Sequence, residues 1–348
     1  MTEKKKSFNK TNACKAITSV DVAKLAGVSQ SSVSRVLNAD SSREVKQETR
    51  EKVLVAAKKL GYTPNIIARS MISRKTNIIG VVIGNPVGPF YSKIMMNLMT
   101  KIQDQGKQCL MFTLESGENI DKILHRVLQY QVDGIIITSA ALSNEMANLC
   151  VEKETPIILF NRFVAGLNVS SVYCDNIEAG RIVAEFLWEK GYKNIAYICY
   201  EKDAATETER KIGFYGKLRE YGVYNVMEER ADYTYESGYQ AAIKLLKQDN
   251  PPEAIFCTSD LIAMGAMDAA RIELGLKVPE DVSIIGFDNI SMAAWPSYDL
   301  TTVHQPIDEL GDETMKILSE LIENPGKSPI IRMLRMKIIE RGSTNKVK

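Results

Sequence analysis

The chain has 348 residues, 45% hydrophobic and 25% charged, and this length allows at least two domains with cores of their own. Residues 1–75 hold 16 Lys and Arg against 6 Asp and Glu, whereas the remainder holds 28 against 37, so a basic head precedes an acidic body and nucleic acid is the leading partner. No apolar run is long enough to span a membrane and no signal-type stretch follows the basic start, so we expect a cytoplasmic protein.

Composition divides the start of the chain into three stretches. Residues 1–16 are polar and basic without apolar periodicity, which predicts a disordered basic arm. Residues 17–63 carry three successive short helical patterns and predict an all-helical head. Residues 64–76 begin with a helix-breaking proline and, from their own pattern, predict a linker.

The first two helical patterns indicate a helix-turn-helix. Thr18 and Asp21 resemble a capping box, Gly27 permits a tight turn, and Ser29 is placed to cap the second helix. That helix turns its valines inward and its polar residues outward. The outward-facing residues are Gln30, Ser31, Ser32, Ser34 and Arg35. Arg can hold guanine, and Gln adenine, through paired hydrogen bonds in the major groove, so this face suits base reading. An ordinary surface helical hairpin is the alternative.

From Asn77 onward, short β-branched and Leu-rich runs alternate with helical stretches. Predicted strands lie at 78–84, 109–114, 134–139, 156–160, 170–174, 194–199, 254–259 and 282–287. Predicted helices lie at 91–105, 119–131, 143–153, 177–190, 207–221, 236–247 and 260–274. Continuous apolar strands indicate parallel sheets covered on both faces, and their number favours two sheets over one. The expected fold class is therefore α/β, with an all-helical helix-turn-helix head and two doubly wound parallel-sheet subdomains.

The polar residues beyond the carboxyl ends of these strands are candidate ligand contacts, because ligands bind at that edge of parallel sheets. Four of them stand out: Arg210, Tyr233, Asp260 and Asp288. Arg and Asp can hold vicinal hydroxyls or ring nitrogens, and Tyr offers a face for stacking. The alternative for each Asp is a helix cap.

The segments VDVAKLAGVSQSSVSRVLN and VKQETREKVLVAAKKLGYTPNIIARSM, with the later IIERGST, resemble the LacI/GalR family of bacterial transcriptional regulators. This resemblance covers nearly the whole chain. It implies a core like type I periplasmic binding proteins, with one subdomain over 77–174 and 304–331, a second over 175–303 and 332–341, and a tail over 342–348. It also implies a homodimeric repressor on a pseudo-palindromic operator. Its effector would be a sugar, a sugar derivative or a nucleobase-like compound, and a phosphoprotein corepressor is left open.

The resemblance also assigns residues on the DNA side. Base-edge contacts fall on Gln30, Ser31 and Arg35, and backbone contacts on Thr18, Ser32, Ser34 and Asn38, with Ser29 at the same surface. Residues 64–76 become a hinge helix in which Asn65 and Ala68 keep the pattern. Met71 stands where Leu is usual, as an apolar wedge for the minor groove. Lys46 replaces the Ser that commonly caps the third helix, which weakens that cap.

On the ligand side, the motifs RxxGF, SDxxAxGA and GFDN resemble family motifs around the effector. They place Arg210, Tyr233 and Asp288 against it, with Ser259 and Asp260 close by. The other subdomain would contribute Asn85, Ser139, Asn161 and Arg162.

Two other protein classes compete with a regulator. A two-lobed small-molecule receptor would look the same from residue 77 onward, but it has no use for residues 18–71. An enzyme would need a catalytic constellation, and no such motif occurs; Gly326-Lys327-Ser328 lacks the first glycine and the following helix of a phosphate-binding loop. No catalytic residue, metal or cofactor is therefore predicted, and a small-molecule effector is the only ligand expected.

Overall fold

The computed structural model describes residues 17–37, 45–63, 75–84, 88–114, 118–138, 142–200 and 205–344. The chain forms two compact units, residues 1–76 and 77–348. The predicted arm, residues 1–16, lies outside the described residues, and so does the predicted hinge apart from its last two positions. No helix within the described ranges is both long and apolar enough to cross a membrane.

Three helices form the head: α1 (Ser19–Ala26), α2 (Gln30–Leu37) and α3 (Gln47–Leu60). Val22, Val33 and Val53, one from each helix, are fully buried and form the centre of its core. The first helix ends at Gly27, whose φ of 66° lies in the left-handed region that favours glycine. The predicted all-helical head is confirmed, and Lys46 at the start of α3 makes no side-chain capping bond.

Strands and helices alternate along the second unit. The strands are β1 (Ile78–Gly84), β2 (Gln108–Leu114), β3 (Gly134–Ile137), β4 (Ile157–Phe160), β5 (Ser170–Cys174), β6 (Ile195–Tyr200), β7 (Val226–Ala231), β8 (Ala254–Cys257), β9 (Ser283–Asp288), β10 (Thr301–His304), β11 (Ile331–Leu334) and β12 (Lys337–Ile339). The helices are α4 (Pro89–Asp104), α5 (Ile120–Gln129), α6 (Asn144–Glu152), α7 (Asn176–Glu189), α8 (Ala205–Glu220), α9 (Tyr235–Leu246), α10 (Asp260–Asp268) and α11 (Ile307–Glu323).

These strands build two six-stranded sheets, ordered β11-β5-β4-β3-β1-β2 and β12-β10-β9-β8-β6-β7. Every pairing is parallel except that of β12 with β10. In β1, Val81 and Ile83 join the core on one face of the sheet, and Val82 joins the core on the other. Burial on both faces explains the continuous apolar strands, and the predicted pair of doubly wound subdomains is confirmed.

The chain crosses between the two sheets three times, after Cys174, after His304 and after Leu334. Two predicted boundaries need correction. Residues 332–334 belong to the first subdomain, because β11 continues its ladder with β5 up to Leu334. Ser343 and Thr344 are buried and bond to β9 and β10, so the predicted tail begins as part of the second subdomain.

Helices α7 and α8 pack at backbone contact. A methyl group added to Gly213 would overlap the carbonyl oxygen of Ile177, and one added to Gly180 would overlap that of Arg210. Glycine is required at both positions because a side chain would separate the helices. This contact brings Arg210 of α8 against Asn176, the first residue of α7.

Candidate DNA-reading helix and ligand cleft

Helix α2 separates its faces as a DNA-reading helix requires. Val33 and Val36 are buried, whereas Gln30, Ser34 and Arg35 are exposed. Predicted Ser31 is also exposed, and Ser32 is half-buried. The polar face thus projects from the head, while the valines hold the helix in place.

Hydrogen bonds order the start of this polar face. The Ser32 amide donates to Ser29 Oγ at 3.2 Å, which confirms Ser29 as the cap of α2, and the Ser31 hydroxyl lies 2.8 Å from the same oxygen. Gln30 Nε2 donates to Ser19 Oγ at 3.0 Å. The amide and hydroxyl of Thr18 both donate to the Asp21 carboxylate. The predicted residues Asn38, Asn65, Ala68 and Met71 lie outside the described residues.

In the second subdomain, Arg210 is the centre of the polar cluster at the carboxyl ends of the strands. Its Nη1 donates to the carbonyl and hydroxyl oxygens of Thr258 at 2.8 and 2.9 Å, and its Nη2 donates to Asn176 Oδ1 at 3.2 Å. The guanidinium carbon lies 3.3 Å from the centre of the Phe287 ring, a cation–π contact. Arg210 is therefore fixed on three sides, while its Nε is buried without a partner among the residues described.

A buried carboxylate balances the charge of Arg210. Glu207 lies one turn earlier on α8, with Oε2 3.8 Å from Arg210 Nη1. It accepts hydrogen bonds from the hydroxyls of Tyr197 and Thr258. Since a buried charge is tolerated when paired and hydrogen-bonded, the two residues form a neutral unit beneath the cleft.

Asp288 and Asn161 meet at Gln305, in the second crossing between the sheets. Gln305 Nε2 donates to Asp288 Oδ1 at 2.8 Å, and Asn161 Nδ2 donates to Gln305 Oε1 at 3.0 Å. Burial and the carboxylate of Asp260 raise the pKa of Asp288 well above its ordinary value, while the charges of Arg210 and Lys93 act to lower it. Asn161 Oδ1 is buried, and no described group bonds to it.

A direct bond also spans the cleft. Arg162, after β4 of the first subdomain, donates from Nη1 to Thr206 Oγ1 of α8 at 3.0 Å. Glu209 of the same helix accepts a bond from Asn176 Nδ2 at 3.4 Å. Burial raises the pKa of Glu209, while that hydrogen bond and the charge of Arg162 act to lower it. The structure thus brings Asn161, Arg162, Arg210 and Asp288 to one cleft.

The side chains of Ser259 and Asp260 bond to groups of the second subdomain instead of to the cleft residues above. Ser259 Oγ accepts from the Ile262 amide at 3.3 Å and caps α10. Asp260 is fully buried, and its two carboxylate oxygens accept from the Thr302 hydroxyl and the Ile290 amide. Both side chains are therefore already bonded within the protein: Ser259 is the helix cap, whereas Asp260 does not cap a helix and instead braces the chain at Ile290 and Thr302.

Tyr233 stands beside a second tyrosine. Its ring centre lies 4.4 Å from that of Tyr200, which ends β6, and burial is the main cause that raises the pKa of Tyr233. The predicted Asn85 and Ser139 lie outside the described residues.

Sequence reasoning missed several residues of the cleft. They are Asn176, Glu207, Glu209, Thr258 and Gln305. Asn176, Thr258 and Gln305 each stand one or two positions beyond a strand end, so the rule that found Asp288 could have found them. Glu207 and Glu209 lie inside a helical pattern, where their sequence context resembles a solvated face.

A helix-turn-helix head with a projecting polar face, followed by a two-subdomain core with a polar cleft, defines a class of DNA-binding transcriptional regulators. Residues 18–65 match the lacI family of bacterial regulatory proteins, and residues 184–344 match the periplasmic binding protein-like domain. The chain is 34% identical to catabolite control protein A of Priestia megaterium, over 94% of this chain and 99% of that protein. It is 32% identical to the transcriptional repressor CytR of Escherichia coli K12, over 94% of this chain and 96% of that protein. The chain belongs to the LacI family and is a transcriptional regulator, not an enzyme.

Solved structures agree with this assignment. The lac repressor dimer bound to operator and the anti-inducer ONPF superposes with a TM-score of 0.84 at 25% identity, covering 95% of this chain and 99% of that one. The regulator CelR in complex with cellobiose superposes with a TM-score of 0.68 at 30% sequence identity, covering 94% of this chain and 100% of that one. A LacI family regulator from Enterococcus faecium with bound ribose superposes with a TM-score of 0.70 at 28% sequence identity, covering 78% of this chain and 100% of that one.

Proposed function

We propose that the chain is a repressor that binds a pseudo-palindromic operator as a homodimer in the cytoplasm and responds to a small molecule bound between its two subdomains. The observation that carries the ligand site is the pair of buried polar atoms, Asn161 Oδ1 and Arg210 Nε, that lack a bond to any described residue. Leaving such an atom unpaired costs about 1–3 kcal/mol, so a ligand that bonds to both would stabilise the cleft around it.

The cleft also offers a route for control. Arg162 reaches Thr206 across it, and Gln305 links Asn161 to Asp288 at a crossing between the sheets. A ligand that binds one arrangement of the subdomains more tightly than another shifts the population of that arrangement. A hundredfold change in operator affinity requires a coupling free energy of about 2.7 kcal/mol.

On the DNA side, we assign base reading to Gln30, Ser31 and Arg35, and backbone contacts to Thr18, Ser32 and Ser34. Support comes from the exposed polar face of α2 and from membership of the family. A hinge helix with Met71 as its minor-groove wedge stays a prediction, as do contacts by Asn38, Asn65 and Ala68. A phosphoprotein partner also stays a prediction.

The test is a comparison of Arg35→Ala with Arg50→Ala, since both arginines are exposed in the head and Arg50 lies on α3. We expect Arg35→Ala to weaken binding of selected operator DNA by about 1–3 kcal/mol, roughly 5- to 150-fold, while binding of random DNA changes much less. Arg50→Ala should leave the ratio of operator to random affinity unchanged. Selection of binding sites followed by titration measures both, and an equal loss on both DNAs from Arg35→Ala would refute the assignment.

A further inference from the structure

One hydrogen bond ties the DNA-reading helix to the start of the helix before it. Gln30 is the first residue of α2 and is exposed, and its Nε2 donates to Ser19 Oγ at 3.0 Å. Ser19 is half-buried and is the first residue of α1. Ser31 and Ser32, the next two residues of α2, bond instead to Ser29 beside them. The amide group of Gln30 is thus anchored from a different helix.

The start of α1 is well fixed, so Ser19 is a firm anchor. The amide and hydroxyl of Thr18 both donate to the Asp21 carboxylate, and Val22, in the first turn of α1, is fully buried in the core of the head. A serine side chain has a single torsion before its oxygen, so the backbone of this turn largely sets where Ser19 Oγ lies. Glutamine has three torsions and loses much conformational freedom when it is ordered. A glutamine that is held in place before it meets DNA therefore binds at a smaller entropic cost.

The bond also decides which atoms of the amide remain for DNA. A glutamine amide has one acceptor, Oε1, and two hydrogens on Nε2. Since one hydrogen of Gln30 is donated to Ser19, one donor and the acceptor Oε1 remain. Adenine offers the complementary pair in the major groove, with N7 as acceptor and N6–H as donor. Without the anchor the amide can turn and present both hydrogens, which suit the two acceptors N7 and O6 of guanine as well.

We propose that Ser19 is a positioning residue for base recognition, which holds the Gln30 amide so that it selects adenine over guanine at one position of each half-site. This inference rests on the proposed function, because Gln30 is one of the base readers assigned there.

The test uses the full-length protein and selection of binding sites, followed by titration of the selected DNA and of its single-base variants. Gln30→Ala identifies the base pair that Gln30 reads, as the position at which the preference disappears. At that position the wild type should prefer adenine, and Ser19→Ala should lower the ratio of adenine to guanine affinity by about two- to tenfold, the range expected for one hydrogen bond. Ser19→Thr keeps the hydroxyl group and should restore the ratio. Preferences at the other positions, including the one read by Arg35, should not change.

Double variants separate positioning of Gln30 from an independent effect of Ser19. In a Gln30→Ala background, Ser19→Ala should change operator affinity by less than about twofold, because its partner is already missing. In an Arg35→Ala background it should have its full effect, since the bond to Gln30 is intact there. The matched control is Gln47→Ala on α3, a second exposed glutamine whose amide bonds to a neighbouring side chain, that of Glu51. This change should leave every base preference as in the wild type.

Affinity for random DNA is measured on the same samples, because a head that fails to fold loses operator and random DNA alike. The proposal is overturned if Ser19→Ala leaves the ratio at the Gln30 position unchanged, if it weakens the preference at every position equally, or if its effect persists in the Gln30→Ala background. If Gln30→Ala alters no position, the assignment of Gln30 as a base reader fails as well. If Gln30→Ala alters one position that Ser19→Ala leaves unchanged, the base reader stands and only the positioning role fails.

Discussion

The carboxyl group of Asp260 ties the stability of the second subdomain to pH. Burial is the largest influence on it and raises its pKa from 3.8 to about 7, although the bonds from Thr302 and from the Ile290 amide act in the opposite direction. The folded protein therefore holds this proton over a range in which the unfolded chain has already released it.

We expect the contribution of this group to the free energy of unfolding to be greatest below about pH 4 and to decrease as the pH rises to about 7, because the native state binds the extra proton in that window. Asp260→Asn should make the free energy of unfolding less dependent on pH. The pH dependence that remains should come from Asp288, whose pKa is also raised. Urea unfolding at several pH values measures the slope. The control is Asp249→Asn at an exposed position, which should retain the wild-type slope. A wild-type slope in Asp260→Asn would contradict the prediction, because it would show that the Asp260 carboxyl does not titrate in this range.

Individual residues show how far the strand-end rule extends. It selected Asp288, whose side chain accepts a bond from Gln305 at the second crossing between the sheets, and it also selected Asp260, which braces the chain around Ile290 and Thr302. Position after a strand fixes where a Cα lies, whereas the partners available on each side decide where the side chain points. Those partners come from distant segments, so the sequence pattern alone could not separate Asp260 from Asp288.

Among the elements, the contact between α7 and α8 fixes the positions of two cleft residues, because Asn176 lies on α7 and Arg210 lies on α8. Gly213 has the carbonyl group of Ile177 where its Cβ would be, whereas Gly216, one turn later on α8, faces open space. The two glycines thus form a matched pair on one helix.

We expect Gly213→Ala to lower the free energy of unfolding by about 1–3 kcal/mol or more, because the helices must separate, and to weaken ligand binding through displacement of Arg210. Gly216→Ala should instead raise stability by up to about 1 kcal/mol, since alanine is the better helix former. Denaturant unfolding of both variants checks this. Equal effects from the two changes would show that the close approach is not a constraint.

Elements with a clear period were predicted within a few residues, and the exceptions have physical reasons. Strand β7 is an edge strand with half-exposed side chains, so its sequence VMEERA lacks an apolar run. The short strands β11 and β12 are edges as well, and their partners are remote in sequence. Helix α11 was overlooked although Ile307, Leu310 and Leu318 carry helical spacing, so that signal was present.

For the molecule as a whole, regulation requires that DNA binding and ligand binding can be separated by mutation. Asp288→Ala should bind operator with wild-type affinity and should no longer change that affinity when ligand is added, because Asp288 lies in the cleft and not in the head. Its φ of 112° is unusual for a residue with a side chain, so Asp288→Asn provides a second variant that tolerates this backbone better. Operator titration with and without ligand measures the response, and a full response from both variants would show that the cleft is misplaced.

The three crossings between the sheets also govern the order in which the protein can be completed during synthesis. Each sheet takes one edge strand from residues 331–339, β11 for the first and β12 for the second, so neither sheet can be completed before the ribosome has passed that segment. The core of the head, as far as the structure describes it, is formed by residues 22–62, so the head can fold while the ribosome is still extending the second unit. A ribosome that stops early would therefore release a chain with a folded DNA-binding head and two incomplete sheets, exposed to proteases.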